Sequence, residues 1–169
     1  MRTSTAKWSL ILLCFSMACA VGGGLYEHMV LMPLWASSPP LSFAIIQAGT
    51  GVPLQNFWVP VHVAITVFLL LSLVLAWREK KARLFLFIGL ASYLLMRVWS
   101  IYFFIPEMLS FQKVPLDSPP SEALMARVAQ WTTLTWYREP LDALSFLSFL
   151  LALYWLKRVG DFTRQEAAP

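Results

Sequence analysis

The chain has 169 residues, of which 59% are hydrophobic and 13% charged, with a mean hydropathy of +0.65. A soluble domain of this length has too little interior to hide that much apolar surface, so the composition excludes one and points to an integral membrane protein. The net charge of +4 sits at the ends of apolar runs, with no basic stripe along a polar face, which argues for membrane orientation and against nucleic acid as a partner.

The first apolar run predicts a membrane helix over about 8–32, since roughly 20 residues at about 1.5 Å each cross the hydrocarbon. Arg2 and Lys7, then the apolar run, then Ala18-Cys19-Ala20 also read as a secretory signal with a small-residue cleavage site. The apolar stretch continues to Leu34, longer than a signal core requires, so the expectation is that residues 1–20 are retained. Cys14 and Cys19 leave a helix in different directions and form no Cys-x-x-Cys, which makes them packing residues and disfavours thiol-disulfide chemistry. Near the far end of this run, Gly22-Gly23-Gly24-Leu25-Tyr26-Glu27-His28 places an acid and an imidazole where hydrocarbon offers no water, so both need partners.

The second span is expected over 60–77, opening with Pro60 at a helix-initiating position and ending at the basic turn Arg78 to Arg83. The third, over 84–105, contains the single charge Arg97 and stops before Pro106. The fourth, over 140–156, opens with Pro140 and carries Asp142 near its start. Outside these spans Lys and Arg divide into Arg2, Lys7, Arg78, Lys80, Lys81, Arg83, Lys157, Arg158 and Arg164 on one side, against Lys113, Arg127 and Arg138 on the other. The positive-inside tendency then puts both termini in the cytoplasm, in the cytoplasmic membrane if the source is prokaryotic.

Two long connections, about 33–59 and 106–139, face outward in this topology and are long enough to fold over the bundle mouth. In the first, Ser37-Ser38-Pro39-Pro40 precedes Leu41 to Gln47, enough for two helical turns. In the second, Ser118 is the expected N-cap of an amphipathic helix in which Leu124, Val128 and Trp131 share a face. The fold expected is therefore all-α: a four-transmembrane-helix bundle in one domain, with two long outer loops, the second containing an amphipathic helix. Both halves share a layout, with Pro-ended first spans, Ser-Pro-Pro loops, and His62 and Asp142 each two residues after a proline, which raises a two-plus-two internal repeat.

Glu27, His28, His62, Arg97, Glu107, Arg138 and Asp142 all fall in or beyond the outer half of this bundle. An Arg near a helix centre costs about 2.5 to 3.5 kcal/mol on insertion scales, so Arg97 should face the interior and find an acid, with Glu27 the expected partner. One reading is structural: a buried Arg97–Glu27 pair fixes helix register and the two His hydrogen-bond at the interface. The functional reading is a site in which Glu27, His28, His62 and Arg97 are the catalytic candidates and Trp131, Arg138, Asp142 and Glu107 contact substrate. Glu27, His28 and His62 also make a two-His, one-carboxylate set that suits a single transition metal, although no His-x-x-x-His or Glu-x-x-His supplies a pair from one helix. The metal-free alternative uses Glu27 as a general base at an activated carbon.

The four-span layout, the Gly-rich first helix with Glu27, the proline-rich first outer loop and Trp131 followed by Arg138 resemble the anthrone-oxygenase-like small membrane proteins. Between Trp131 and Arg138 this sequence has neither Asn nor His. The resemblance implies oxidation by dioxygen of an activated aromatic or polyketide-like carbon in a lipid-accessible pocket without an obvious organic cofactor, and it carries over only Glu27, Trp131 and Arg138. The leading expectation is thus an oxygenase-like or related redox enzyme acting on a hydrophobic aromatic or quinol-type small molecule. Its partners would be the lipid bilayer and a hydrophobic ligand, within a homo-oligomer or a larger membrane complex. The alternatives are a non-enzymatic subunit or assembly factor of a larger membrane complex, presenting Trp99, Tyr102, Phe103 and Phe104, and a transporter subunit with Arg97 on the substrate path.

Overall fold

The computed structural model describes the backbone over residues 2–166 and side chains over 4–156, and within these residues every regular element is helical. Of the basic residues that set the expected orientation, the side chains of Arg2, Lys157, Arg158 and Arg164 lie outside the described residues. Among the described residues four helical stretches are long and apolar enough to cross a membrane: Ser4–Trp35, Gln55–Leu75, Lys80–Phe111 and Glu122–Leu156. They are longer than the expected spans, and prolines explain most of the difference.

Helix α1 (Arg2–Tyr26) passes through one π-helical turn, Glu27–Leu31, into the short α2 (Met32–Trp35). Helix α4 (Lys80–Trp99) does the same through Ser100–Phe104 into α5 (Ile105–Phe111). Pro33 and Pro106 were the expected stops, yet each is the second residue of the helix that follows a wide turn. A proline has no N–H to give and clashes with the carbonyl four residues back; a π turn just before it relaxes the ladder there and lets the axis continue. Helix α3 (Gln55–Leu75) likewise begins ahead of Pro60, which sits at its sixth residue, where the carbonyl of Asn56 is the acceptor left without its usual helical partner.

Helix α6 (Glu122–Trp136) is capped by Ser121, not by Ser118: Ser121 is extended and its Oγ accepts from the Leu124 N–H at 3.1 Å. Pro119 and Pro120 keep the residues before them out of the helical region, which moves the start downstream. The expected turns after Pro40 form as a single 3-10 segment, Leu41–Ile45. After residues 137–138 the chain enters α7 (Glu139–Glu166).

One repeat organises the interior. Buried positions along α1 include Ala6, Leu10, Leu13, Met17 and Ala20, and along α4 and into the π turn after it Ala82, Leu86, Gly89, Tyr93, Met96 and Ser100, spaced alternately four and three apart. Ile65, Leu69 and Ser72 continue the pattern in α3, and Ser145, Phe149, Ala152 and Leu156 in α7. This is the spacing that keeps one seam facing a partner helix. Hydrogen bonds between helices stitch the seams: Ser9 to Ser72 at 2.8 Å joins α1 to α3, and the Ser92 hydroxyl donates to the Leu141 carbonyl at 2.8 Å between α4 and α7. Helix α4 packs along α7, and α1 along α3 and α7, whereas α3 and α4, although consecutive, touch far less.

A second, aromatic-rich core sits beyond the turn-free ends of α1 and α4. Trp35, Phe43, Phe104, Phe111 and Trp131 meet there with Met32, Ile46 and Val128, so the predicted apolar face of α6 rests on this cap. Trp99 and Phe103 pack against the same cluster and Phe104 is buried in it. Of the aromatic group expected to dock a partner protein only Tyr102 stands out, at 81% exposure.

Candidate functional site

Followed toward the capped end, the same four seams turn polar. The seam of α1 continues from Ala20 to Gly24 and, in the π turn that follows, Glu27; that of α3 runs from Ile65 back through His62 to Trp58; that of α7 runs from Ser145 back through Asp142 to Arg138, just ahead of the helix. Helix α4 adds Tyr93 and Arg97, and the π turn after it adds Ser100. All of these residues except Ile65 and Ser145, together with Glu139, line a hollow of about 1040 Å³. Residues 46–54 border it on the cap side, in a tight turn closed by the Val52 N–H on the Ile45 carbonyl at 2.7 Å. Gly49 makes that turn possible with φ +86°, a left-handed conformation that a side chain disfavours.

The floor is a chain of hydrogen bonds. An Arg97 guanidinium N–H donates to Nε2 of His62 at 2.7 Å, and Nδ1 of His62 lies 3.0 Å from the Tyr93 hydroxyl. Arginine has only donors, so Nε2 is the accepting nitrogen and the neutral ring carries its proton on Nδ1, toward Tyr93. Trp58 stacks on the His62 ring at 5.6 Å between centroids and 18° between planes, while its indole N–H donates to Oε2 of Glu27 at 2.9 Å. Arg97 and Glu27 therefore do not form the expected ion pair: each is taken by an aromatic or imidazole partner from α3. His62 has both ring nitrogens engaged, which makes it a holder of Arg97 and leaves no nitrogen for a metal.

The opposite wall is set by Arg138. Its guanidinium lies 4.2 Å from the Phe104 ring centroid and donates weakly to Ser100 Oγ at 3.3 Å. The carboxyl groups of Asp142, Glu27 and Glu139 line the same hollow. Nε of Arg138 and Oδ1 of Asp142 are both buried without a hydrogen-bond partner. Both residues line the hollow, but these two atoms are themselves enclosed in its wall.

His28 does not reach this hollow. It is one residue past Glu27, about 100° round the helix, and its ring stacks on Trp136 at 4.6 Å. Its Nδ1 lies 2.9 Å from the Gly24 carbonyl and 3.2 Å from Oε1 of Glu139, so the Nδ1–H is shared between two acceptors. Among the described residues no three His, Cys, Asp or Glu gather as a metal set, and Glu27, His28 and His62 in particular point to different partners. Glu107 also lies outside the hollow: its Oε2 accepts from Arg127 Nε at 3.0 Å and from the NH2 group at 2.8 Å on the surface. Trp131 does line the hollow, but its N–H is used by the Phe104 carbonyl at 3.1 Å.

No family model, curated protein or solved structure matches this chain. The site therefore has to be argued from its own geometry. Two members of it, Trp58 and Tyr93, were not anticipated, although each lies four residues before a residue that was, His62 and Arg97, and so shares its helix face. Glu139 is a further addition. It packs against Gly24, where a Cβ would sit 3.3 Å from its Oε1.

The surface pair gives a control for the site. Arg127→Ala is expected to change stability by no more than about 1 kcal/mol, the usual range for an exposed ion pair, and to leave ligand binding in the hollow unaltered. Thermal unfolding and ligand titration of the solubilised variant measure both; a loss of binding would return Glu107 to the site.

Proposed function

We propose that this chain is a membrane-embedded, oxygenase-like enzyme that oxidises a hydrophobic aromatic or quinol-type molecule held in the hollow. The observation that supports this reading above the others is the hollow itself: guanidinium and carboxylate groups, with His62 of α3, under walls of Trp58, Phe104 and Trp131. A planar ring fits between such walls, and a phenolic or enolic oxygen fits beside two guanidinium groups. Arg97 uses one N–H on His62 and keeps others for the ligand; the lock through His62 to Tyr93 holds its fork in place.

In this reading Glu27 removes a proton from the activated carbon, and Arg97 with Arg138 stabilises the enolate or phenolate that forms. Dioxygen is the oxidant. For a methylene substrate one oxygen atom ends as the new carbonyl and the other leaves as water with the two hydrogens. The hollow lies at the end of the bundle opposite the basic turn at residues 78–83, so by the positive-inside tendency the site faces outward and both termini are cytoplasmic.

Oxygen uptake with anthrone or hydroquinone substrates tests the assignment. Glu27→Gln and Arg97→Gln, made separately, are each expected to lower turnover by roughly a hundredfold or more, the usual contribution of a positioned base or oxyanion donor. Rates equal to the unaltered protein in both variants would remove the chemistry from this site.

A further inference from the structure

The hollow is not closed on all sides. Helices α3 and α4 follow each other across a short turn and would be expected to pair along their length, yet each is committed elsewhere, α3 to α1 and α4 to α7. Between them runs a slot. Val59, Val63 and Val67 on one edge and Leu94, Ile105 and Leu109 on the other line the hollow and are still 43% to 60% exposed. On α3 this edge extends over about 12 Å of helix, and on α4 and α5 over about 22 Å. These stretches belong to helices of membrane-spanning length, so the slot opens at hydrocarbon depth.

The lining therefore combines two kinds of surface: partly buried polar groups, Arg97, Arg138 and Asp142, and bare aliphatic side chains that border the opening. A volume of about 1040 Å³ stands at the upper end of the roughly 300–1,000 Å³ usual for small-molecule sites and leaves room beyond a one- or two-ring head group. We infer that the substrate is an amphiphile: a hydroxylated aromatic head on the floor and a hydrocarbon tail that leaves sideways between α3 and α4 and stays in the bilayer. This rests on the reading of the hollow as a quinol-type site and adds to it the tail and the route. A tail in the slot exchanges one apolar surrounding for another, so it adds little affinity over a tail-less head; it requires only that the slot stay open.

The experiment follows from that asymmetry. The whole protein in phosphatidylcholine nanodiscs is titrated with trimethylhydroquinone and with its decyl-substituted analogue, with quenching of tryptophan fluorescence as readout and empty nanodiscs as the partition control. Val63→Trp and Leu94→Trp fill the slot, and Val74→Trp, on a lipid-facing part of α3 outside the hollow, serves as the control substitution. The unaltered protein and the Val74 variant are expected to bind both probes. The slot variants are expected to keep the tail-less probe and to weaken for the decyl probe by roughly tenfold or more. Equal binding of both probes by the slot variants overturns the tail and its route while leaving the head-group site standing. So does equal loss of both, or a changed oligomeric state with unchanged binding, which would make the slot a contact between two copies. If the unaltered protein binds neither probe, the quinol-type reading itself falls.

Discussion

Arg138→Leu is expected to destabilise the solubilised protein by about 2–3 kcal/mol, whereas Arg138→Leu combined with Asp142→Leu recovers most of the loss. Arg138 and the carboxyl groups of Asp142, Glu27 and Glu139 line the same hollow, and Asp142 lies one helical turn beyond Arg138. Removing the arginine leaves carboxylates in a poorly hydrated space with no counter-charge on that wall, which is the costly way to break a buried polar group. Removing Asp142 as well takes away the acid one turn away and replaces two charged groups by apolar ones, a change that buried pairs often tolerate. The magnitude sits below the 3–5 kcal/mol of a fully enclosed pair because the hollow is open on one side. Equilibrium unfolding of the two variants in mixed detergent micelles checks this; a single variant as stable as the unaltered protein would show that the carboxylates do not depend on Arg138.

Gly89→Ala is expected to cost about 2 kcal/mol, within the range for overpacking a well-filled interior. Gly89 is a buried seam position of α4, and a Cβ there would overlap the ring of Phe149, which is itself fully buried on α7. The ring has no free direction in which to turn, so the two helices must separate along the pair that α4 packs against most closely. Phe149→Leu in the same chain is expected to restore part of the loss. Gly22→Ala is the contrast, since nothing lies within 4 Å of a Cβ at that position; it is expected to be neutral or slightly stabilising through helix propensity. Thermal unfolding of the three variants decides the ranking.

These two sites also separate what is written locally from what is not. The apolar runs mark four helices long enough to cross a membrane, and the polar residues at one end of those runs mark where a site would be. Even the seams are legible, because a spacing of four and three is a property of a single helix: extending it from Leu10 or Leu86 toward the cap leads to Gly24 and Glu27, and to Tyr93 and Ser100. Helix ends were harder. Pro33, Pro60 and Pro106 read as boundaries, yet the chain continues past each of them, because a π turn or a place in the first turns relieves the lost hydrogen bond. That relief depends on the ladder around the proline, which a rule about the proline alone does not contain.

By itself, then, the order of residues determined the class of protein, the helical runs, and the gathering of ionisable groups toward one end, since hydropathy and helical periodicity act over a few neighbouring residues. Only the tertiary structure decided who meets whom. It pairs Arg97 with His62 and Glu27 with Trp58, turns His28 away toward Trp136 and Glu139, and brings Glu139 in against Gly24. It also opens a slot between α3 and α4, because close contacts such as Gly89 against Phe149 commit α4 to α7 instead. Partner choice is settled by shape complementarity between faces far apart in the chain, and no local spacing encodes it.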